Sequence, residues 1–299
     1  MLKIPLTSLA HQPRGERVSC SWNYGHQLTV LETESIPERI NDQFVASQAD
    51  KRSWFVSVYL NGELILELPP IESRINFHYV QMLDNEHILL VGARCHYNDG
   101  QPEKNAAVYD SHGQLVRSFT LGDGIEDINV TSDGAIWASY FDEGVFGNYG
   151  WAQPIGQYGL VKFDATGQVL WQADKFQIFD CYAVNAENEH SFWFYYYSDF
   201  KLVHLKDGEA TSYNVPIQGA HAFALCHPYI VMGGGYGNND KFSVFKQHPQ
   251  HLKKTDELRF TDPQGKNLHQ CIYSIRGNQV VAYEQHRIYF THLALENKK

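Results

Sequence analysis

Hydrophobic and polar positions along this chain alternate in short bursts separated by glycine-bearing turns. Residues 122–151 show the pattern most fully: Ile128 and Val130 alternate with polar neighbours, Ser132-Asp133-Gly134 signals a turn, and 135–141 is an apolar and aromatic run of strand length. This predicts two strands joined by a tight turn, followed by a long irregular loop. Four further segments superpose on one another: VYLNGELILEL from Val58, VYDSHGQLVRSF from Val108, VKFDATGQVLWQ from Val161 and VHLKDGEATSY from Val203. Their turn glycines Gly62, Gly113, Gly167 and Gly208 stand 51, 54 and 41 residues apart. Each hairpin is followed by a second, as in NFHYVQMLDNEHILLVGA or NLHQCIYSIRGNQVVAYEQ, and two hairpins make a four-stranded unit.

Strand-only repeats of about 40–50 residues are the sequence signature of propeller blades. The expected units are 17–69, 74–119, 123–173, 177–213, 217–260 and 267–293. The fold class is therefore all-β: a β-propeller of six blades with four antiparallel strands each, in a single domain spanning 1–299. The last unit is one strand short, and residues 3–6 are the candidate outer strand, closing the ring by pairing the two ends of the chain. Seven blades or a pair of β-sandwiches remain as alternatives. No amphipathic helix is expected; 36–44 has room for one or two turns at most, and 36–51 carries no strand pattern.

Composition narrows the classes. Hydrophobic residues at 43% with 19% charged describe a globular chain, and 14% aromatics favour strands. The net charge of −10 argues against a nucleic-acid partner, because no broad basic footprint for phosphates exists. No run of about 20 apolar residues is present and Pro5, Thr7 and Ser8 interrupt the N-terminus, so no membrane span or signal segment is expected. Five dispersed cysteines without a C-x-x-C pair fit reduced thiols and a cytoplasmic protein.

The D/G-turn hairpins VTSDGAIWASYF and LVKFDATGQVLW resemble the blades of six-bladed propellers of the NHL-repeat and gluconolactonase-like (senescence-marker-protein) groups. The latter resemblance implies a metal held by acidic and asparagine side chains at channel positions. This chain has acids at two such positions, histidines at three and asparagine at none.

Those positions come from aligning the first strand of each unit, which brings His78, Asp127, Asp180, His221 and His269 into register, with Glu126 beside them. In a propeller this strand lines the central channel, so three imidazoles and two carboxylates would converge on a site suited to a divalent metal ion or to general acid/base work. Channels are also wet, and polar inner positions need carry no chemistry. The second candidate is the loop face. Asp142, Glu143, Asn148, Tyr149 and Trp151 lie in one long glycine-bearing loop, Tyr97 and Asn98 in another, and Tyr236 and Asn238 in a third; all three follow the second strand of their units. Phe192 to Tyr197, FWFYYY, reads as strand packing. No P-loop, G-x-S-x-G or H-E-x-x-H motif is present. Two functional readings follow: a soluble binding module presenting its loop face to a protein or small-molecule ligand, or a metal-dependent hydrolase or lyase with a His/Asp channel site.

Overall fold

The computed structural model describes residues 1–40 and 43–295. The chain divides into two compact units: a central one, Gln12–Cys181, and a terminal one in which Met1–His11 joins the chain from Tyr182 onward. Among the described residues each unit holds three main sheets of sequence-neighbouring antiparallel strands, to which the terminal unit adds strands from the N-terminal end of the chain.

In the central unit the sheets begin with Glu16–Trp22, Tyr79–Met82 and Ile125–Val130. The first carries an additional strand, Ile71–Ile75, paired to the 14-residue strand Ser47–Leu60. The pattern of 36–51 hid the start of that strand because Ser47, Gln48, Asp50 and Lys51 form a polar segment in which Ser47 pairs with Ile75 and the ladder then shifts register before Arg52 meets Ser73. The long loop at 142–151 also differs from expectation, since Asp142–Phe146 forms one short helical turn. Gly144 makes that turn possible: a Cβ there would lie 2.5 Å from the carbonyl oxygen of Asp123.

In the terminal unit the sheets begin with Asp180–Asn188, whose first two residues are the last two of the central unit, and with Phe223–Cys226 and Ile272–Arg276. The two ends of the chain do pair, but one step away from the expected place. Thr7–Ser8 is the fourth strand of the last sheet, through Thr7 opposite Phe290 and Ser8 opposite Tyr289. Residues 3–6 do not fill that role; Leu2–Pro5 instead runs parallel to Leu252–Thr261 as a fifth strand of the preceding sheet.

Alternating apolar residues from neighbouring sheets interlock into cores. Leu89, Val91 and Val108 of the second sheet meet Ile128, Val130, Ile136 and Val161 of the third, and Ala224, Val231 and Val244 meet Tyr273, Val280 and Ala282 in the terminal unit. Burial at this density, worth roughly 1.5–3 kcal/mol per large side chain, fixes the sheets and therefore the loops at their ends. The outer hairpins of the second and third sheets are closed by a D-x-x-G turn. The Oδ1 of Asp164 accepts the N–H groups of Thr166 and Gln168 at 2.8 and 2.9 Å, and Gly167 supplies φ 87°. Asp110 with Gly113 repeats it, and Asp262 with Gly265 makes the same turn just after the strand Leu252–Thr261.

Candidate functional site

The register positions divide between the units: His78, Glu126, Asp127 and Asp180 belong to the central one, His221 and His269 to the terminal one. His78 is an acceptor, its Nδ1 taking the N–H of Ala93 at 3.1 Å. Burial, with Arg94 and Arg39 nearby, holds it near pKa 4, so the ring is neutral. Among the described residues no three His, Cys, Asp or Glu side chains are grouped so as to hold a metal ion.

Glu126 and Asp180 form the strongest electrostatic feature of the central unit. Glu126 touches water yet is recessed among protein atoms, and that desolvation, followed by the fields of Asp180, Asp127 and Asp142, raises its pKa to about 8. Asp180 is raised to about 7 by desolvation and by Asp142. Like charges this crowded favour the protonated acid. The central unit as a whole carries 11 basic against 23 acidic residues, a charge of −12, whereas the terminal unit carries 13 against 11, or +2.

The loops of the central unit are organised by a residue the sequence did not single out. Arg94, 3% exposed, donates from Nε and Nη2 to both carboxylate oxygens of Asp123 at 2.9 and 3.0 Å, while Nη1 pairs with Glu143. Burial would depress the guanidinium, but Asp123 and Glu143 outweigh it and keep the cation charged. Its face lies 4.2 Å from the Tyr149 ring centre and 5.5 Å from that of Phe141. Tyr149 donates its hydroxyl to the carbonyl of Phe44 at 2.9 Å, with backbone φ 45°, and its ring meets His96. Trp151 is buried, its indole N–H donating to the carbonyl of Cys95 at 2.7 Å, with Tyr97 against it.

The structure therefore buries Trp151 and covers Tyr149, so neither offers a free stacking face. Asn148 is a turn former, its side-chain oxygen accepting the N–H of Tyr149. Asn98 pairs with Gln101 in a two-residue hairpin closed by Asp99-Gly100, both at positive φ. What the loop does expose is Phe146, 64% accessible and packed edge-on against Phe179.

In the terminal unit the loop end is arranged differently. His221 is neutralised by burial against an opposing pull from Asp240, which also stands 3.7 Å from His269. Asn238 closes a turn to Lys241. Tyr236, 60% exposed, joins Tyr182, Tyr197 and Phe200 in an aromatic cluster. The hydroxyls of Tyr182 and Tyr236 meet at 2.6 Å. The strand Ser191–Tyr197 is buried up to Tyr196 as its apolar run implies, but its last residue Tyr197 and Phe200 in the turn that follows reach this cluster, a role that the run alone conceals.

A second polar site in the same unit corresponds to no sequence motif. A pocket of about 590 Å³ contains Glu187, Ser191, His204 and His227. Glu187 accepts from Ser191, the Trp193 indole and His227 at 2.6, 2.9 and 3.0 Å. Burial works against the carboxylate, but those donors prevail and bring it to about pKa 2, while Glu187 raises His227. With its acceptor capacity so occupied, this carboxylate is a poor base.

A family model described as the YxzG family matches residues 156–291. No curated protein matches the chain. Among solved structures, the PQQ-bound form of aldose sugar dehydrogenase from Streptomyces coelicolor is similar over 95% of each chain at 10% identity, TM-score 0.53. Hsv2 from Kluyvelomyces marxianus is similar over 95% of this chain and 83% of its own, at 10% identity and TM-score 0.51. The β-propeller domain of Myceliophteria thermophila Cps50 (Swd1) covers 93% of this chain and 84% of its own, at 13% identity and TM-score 0.50. The fold is that of a six-bladed β-propeller. No helix among the described residues is long and apolar enough to cross a membrane.

Proposed function

We propose that the protein is a binding module whose loop ends capture a small ligand or a protein segment. One observation carries this reading: aromatic side chains stand exposed on loops whose backbones are tied down from inside. Phe146 sits on a helical turn locked by the Arg94, Asp123 and Glu143 network, and Tyr236 sits on a loop bonded to Gln218. Ordering such a surface before a ligand arrives removes much of the entropic cost of binding. Neighbours of the same fold include both a cofactor-bound enzyme and a propeller domain of another kind, so the fold alone selects neither.

The test is a panel of sugars, carboxylates, aromatic heterocycles and organic cations screened by ligand-observed NMR against wild-type protein and a Phe146→Ser, Tyr236→Ala variant. The expected result is at least one class whose signal is lost in the variant while the melting temperature holds. Signals unchanged by the variant would overturn the loop-end reading, and turnover of a probe would replace it with an enzyme.

A further inference from the structure

The rings of Tyr182, Phe200 and Tyr236 in the terminal unit make a corner. Tyr182 and Phe200 lie 6.4 Å apart at 25°, and Tyr236 stands at 87° to both, 6.2 and 6.3 Å away. The three centres form a nearly equilateral triangle. A compact group resting on it comes within the ~6 Å of the ring centres over which a cation feels a ring quadrupole. A flat ligand would stack on one ring and collide with the perpendicular one.

The corner is built and not incidental. Tyr236 is pinned over Gly219, where a Cβ would lie 2.5 Å from the ring, and its N–H donates to the carbonyl of Gln218 at 3.1 Å. Beneath it, the Tyr195 hydroxyl donates to the carbonyl of Ile217 at 2.6 Å. Phe200 holds φ 52°, a left-handed conformation that glycine or asparagine adopts more readily, so its ring is kept at a conformational cost.

The central unit shows the filled counterpart. There Tyr149, also left-handed at φ 45°, and Phe141 receive the guanidinium of Arg94. Among the described residues no cation is placed over the ring of Phe200 or of Tyr236. Asp240 lies in the same loop as Tyr236, where its Oδ2 accepts the N–H of Gln270 at 3.1 Å.

We infer that the Tyr182, Phe200 and Tyr236 corner binds a compact organic cation, a quaternary ammonium or guanidinium head group supplied by the ligand. This rests on the binding-module reading and names its ligand chemistry. The experiment is a ligand-observed NMR titration with choline, with free arginine, and with 3,3-dimethylbutan-1-ol, the neutral isostere of choline.

At least one cation should bind about tenfold tighter than the neutral alcohol, the ratio a desolvated cation–ring contact gives. Phe200→Asn, compatible with the backbone, and Tyr236→Ala, at an exposed position, should each weaken that binding about fivefold or more. Leu115→Ala, at an exposed position of the central unit, should leave it unchanged. Choline against arginine separates the ammonium from the guanidinium source. Equal affinity for the alcohol, or binding indifferent to both ring variants, overturns the inference. Absence of cation binding, with another class of the panel lost in Tyr236→Ala, overturns the cation and leaves the module. Absence of every class overturns both.

Discussion

The two loop ends use the same materials to opposite ends. In the central unit a left-handed Tyr149 stacks on a buried arginine, and that arginine is consumed by Asp123 and Glu143. In the terminal unit a left-handed Phe200 faces two tyrosines and no internal cation among the described residues. An aromatic corner closed by its own chain is a structural joint, since its polar and π partners are satisfied and its surface is withdrawn from solvent. One left open keeps its interaction energy for a ligand. Aromatic residues in loops thus divide by whether the chain supplies the partner, and spacing in the sequence does not reveal that.

The sharpest way to break the comparison is to empty the closed corner. Arg94→Met leaves the Asp123 carboxylate buried without its partner, and should cost about 3–5 kcal/mol in denaturant unfolding. Adding Asp123→Leu removes the stranded charge and should recover most of the loss. If the single variant costs less than about 1 kcal/mol, the network is not what holds these loops.

Smaller is the effect of disturbing the base of the open corner. Gly219→Ala meets both φ 74° and the Tyr236 ring at 2.5 Å, and about 2 kcal/mol is expected. Gly208→Ala is the control, for it has φ 84° but nothing within 4 Å, so only backbone strain of about 1 kcal/mol applies. Equal losses in the two would mean that Tyr236 gives way freely and that Gly219 does not fix it.

Replacing the two left-handed aromatics then separates joint from site by size. Phe200→Asn relieves strain but gives up half-buried ring contacts with Tyr182, Tyr195, Tyr197 and Tyr236, and should change stability by no more than about 0.5 kcal/mol. Tyr149→Asn relieves similar strain but loses the hydroxyl bond to Phe44 and the Arg94 contact, and should destabilise by about 1 kcal/mol. Melting curves of both variants suffice; equal losses in both would remove the distinction.

Much of the fold was legible because turn chemistry and strand alternation are local. Gly113 and Gly167 occupy positive-φ turns, and the expected unit boundaries follow the observed sheets within about six residues. The strand beginning at Ser47 was not legible, because it starts in a polar segment across which the ladder shifts register. The site was less legible still. Arg94 is a lone basic residue whose carboxylate partners lie 29 and 49 positions away, and Glu187 gathers donors that form no motif. Asp142 and Tyr149 looked alike as loop residues, yet one is exposed and the other is covered by a guanidinium.

The smallest expected effect concerns the recessed acids of the central unit, which have no counterpart in the terminal one. Glu126 holds its proton to about pH 8 in the folded protein, whereas an unfolded glutamate releases it near 4.5. Between those values the folded state binds the extra proton, so stability attributable to this group is full below 4.5, falls as pH rises, and is lost above 8. Asp180 acts likewise up to about 7. His78 and His221, both lowered by burial, act in the opposite sense, because acidification below about 6.5 charges them in the unfolded chain first. Subtracting profiles isolates the acid: Glu126→Gln should match wild type at pH 4 and exceed it at pH 8.5. Because the carboxyl touches water, screening holds the gain below about 1 kcal/mol. Denaturation midpoints at pH 4, 6.5 and 8.5 read this directly. Parallel profiles would show that the carboxylates crowd one another without titrating in this window, and the two loop ends would then differ only in how their aromatic corners are filled.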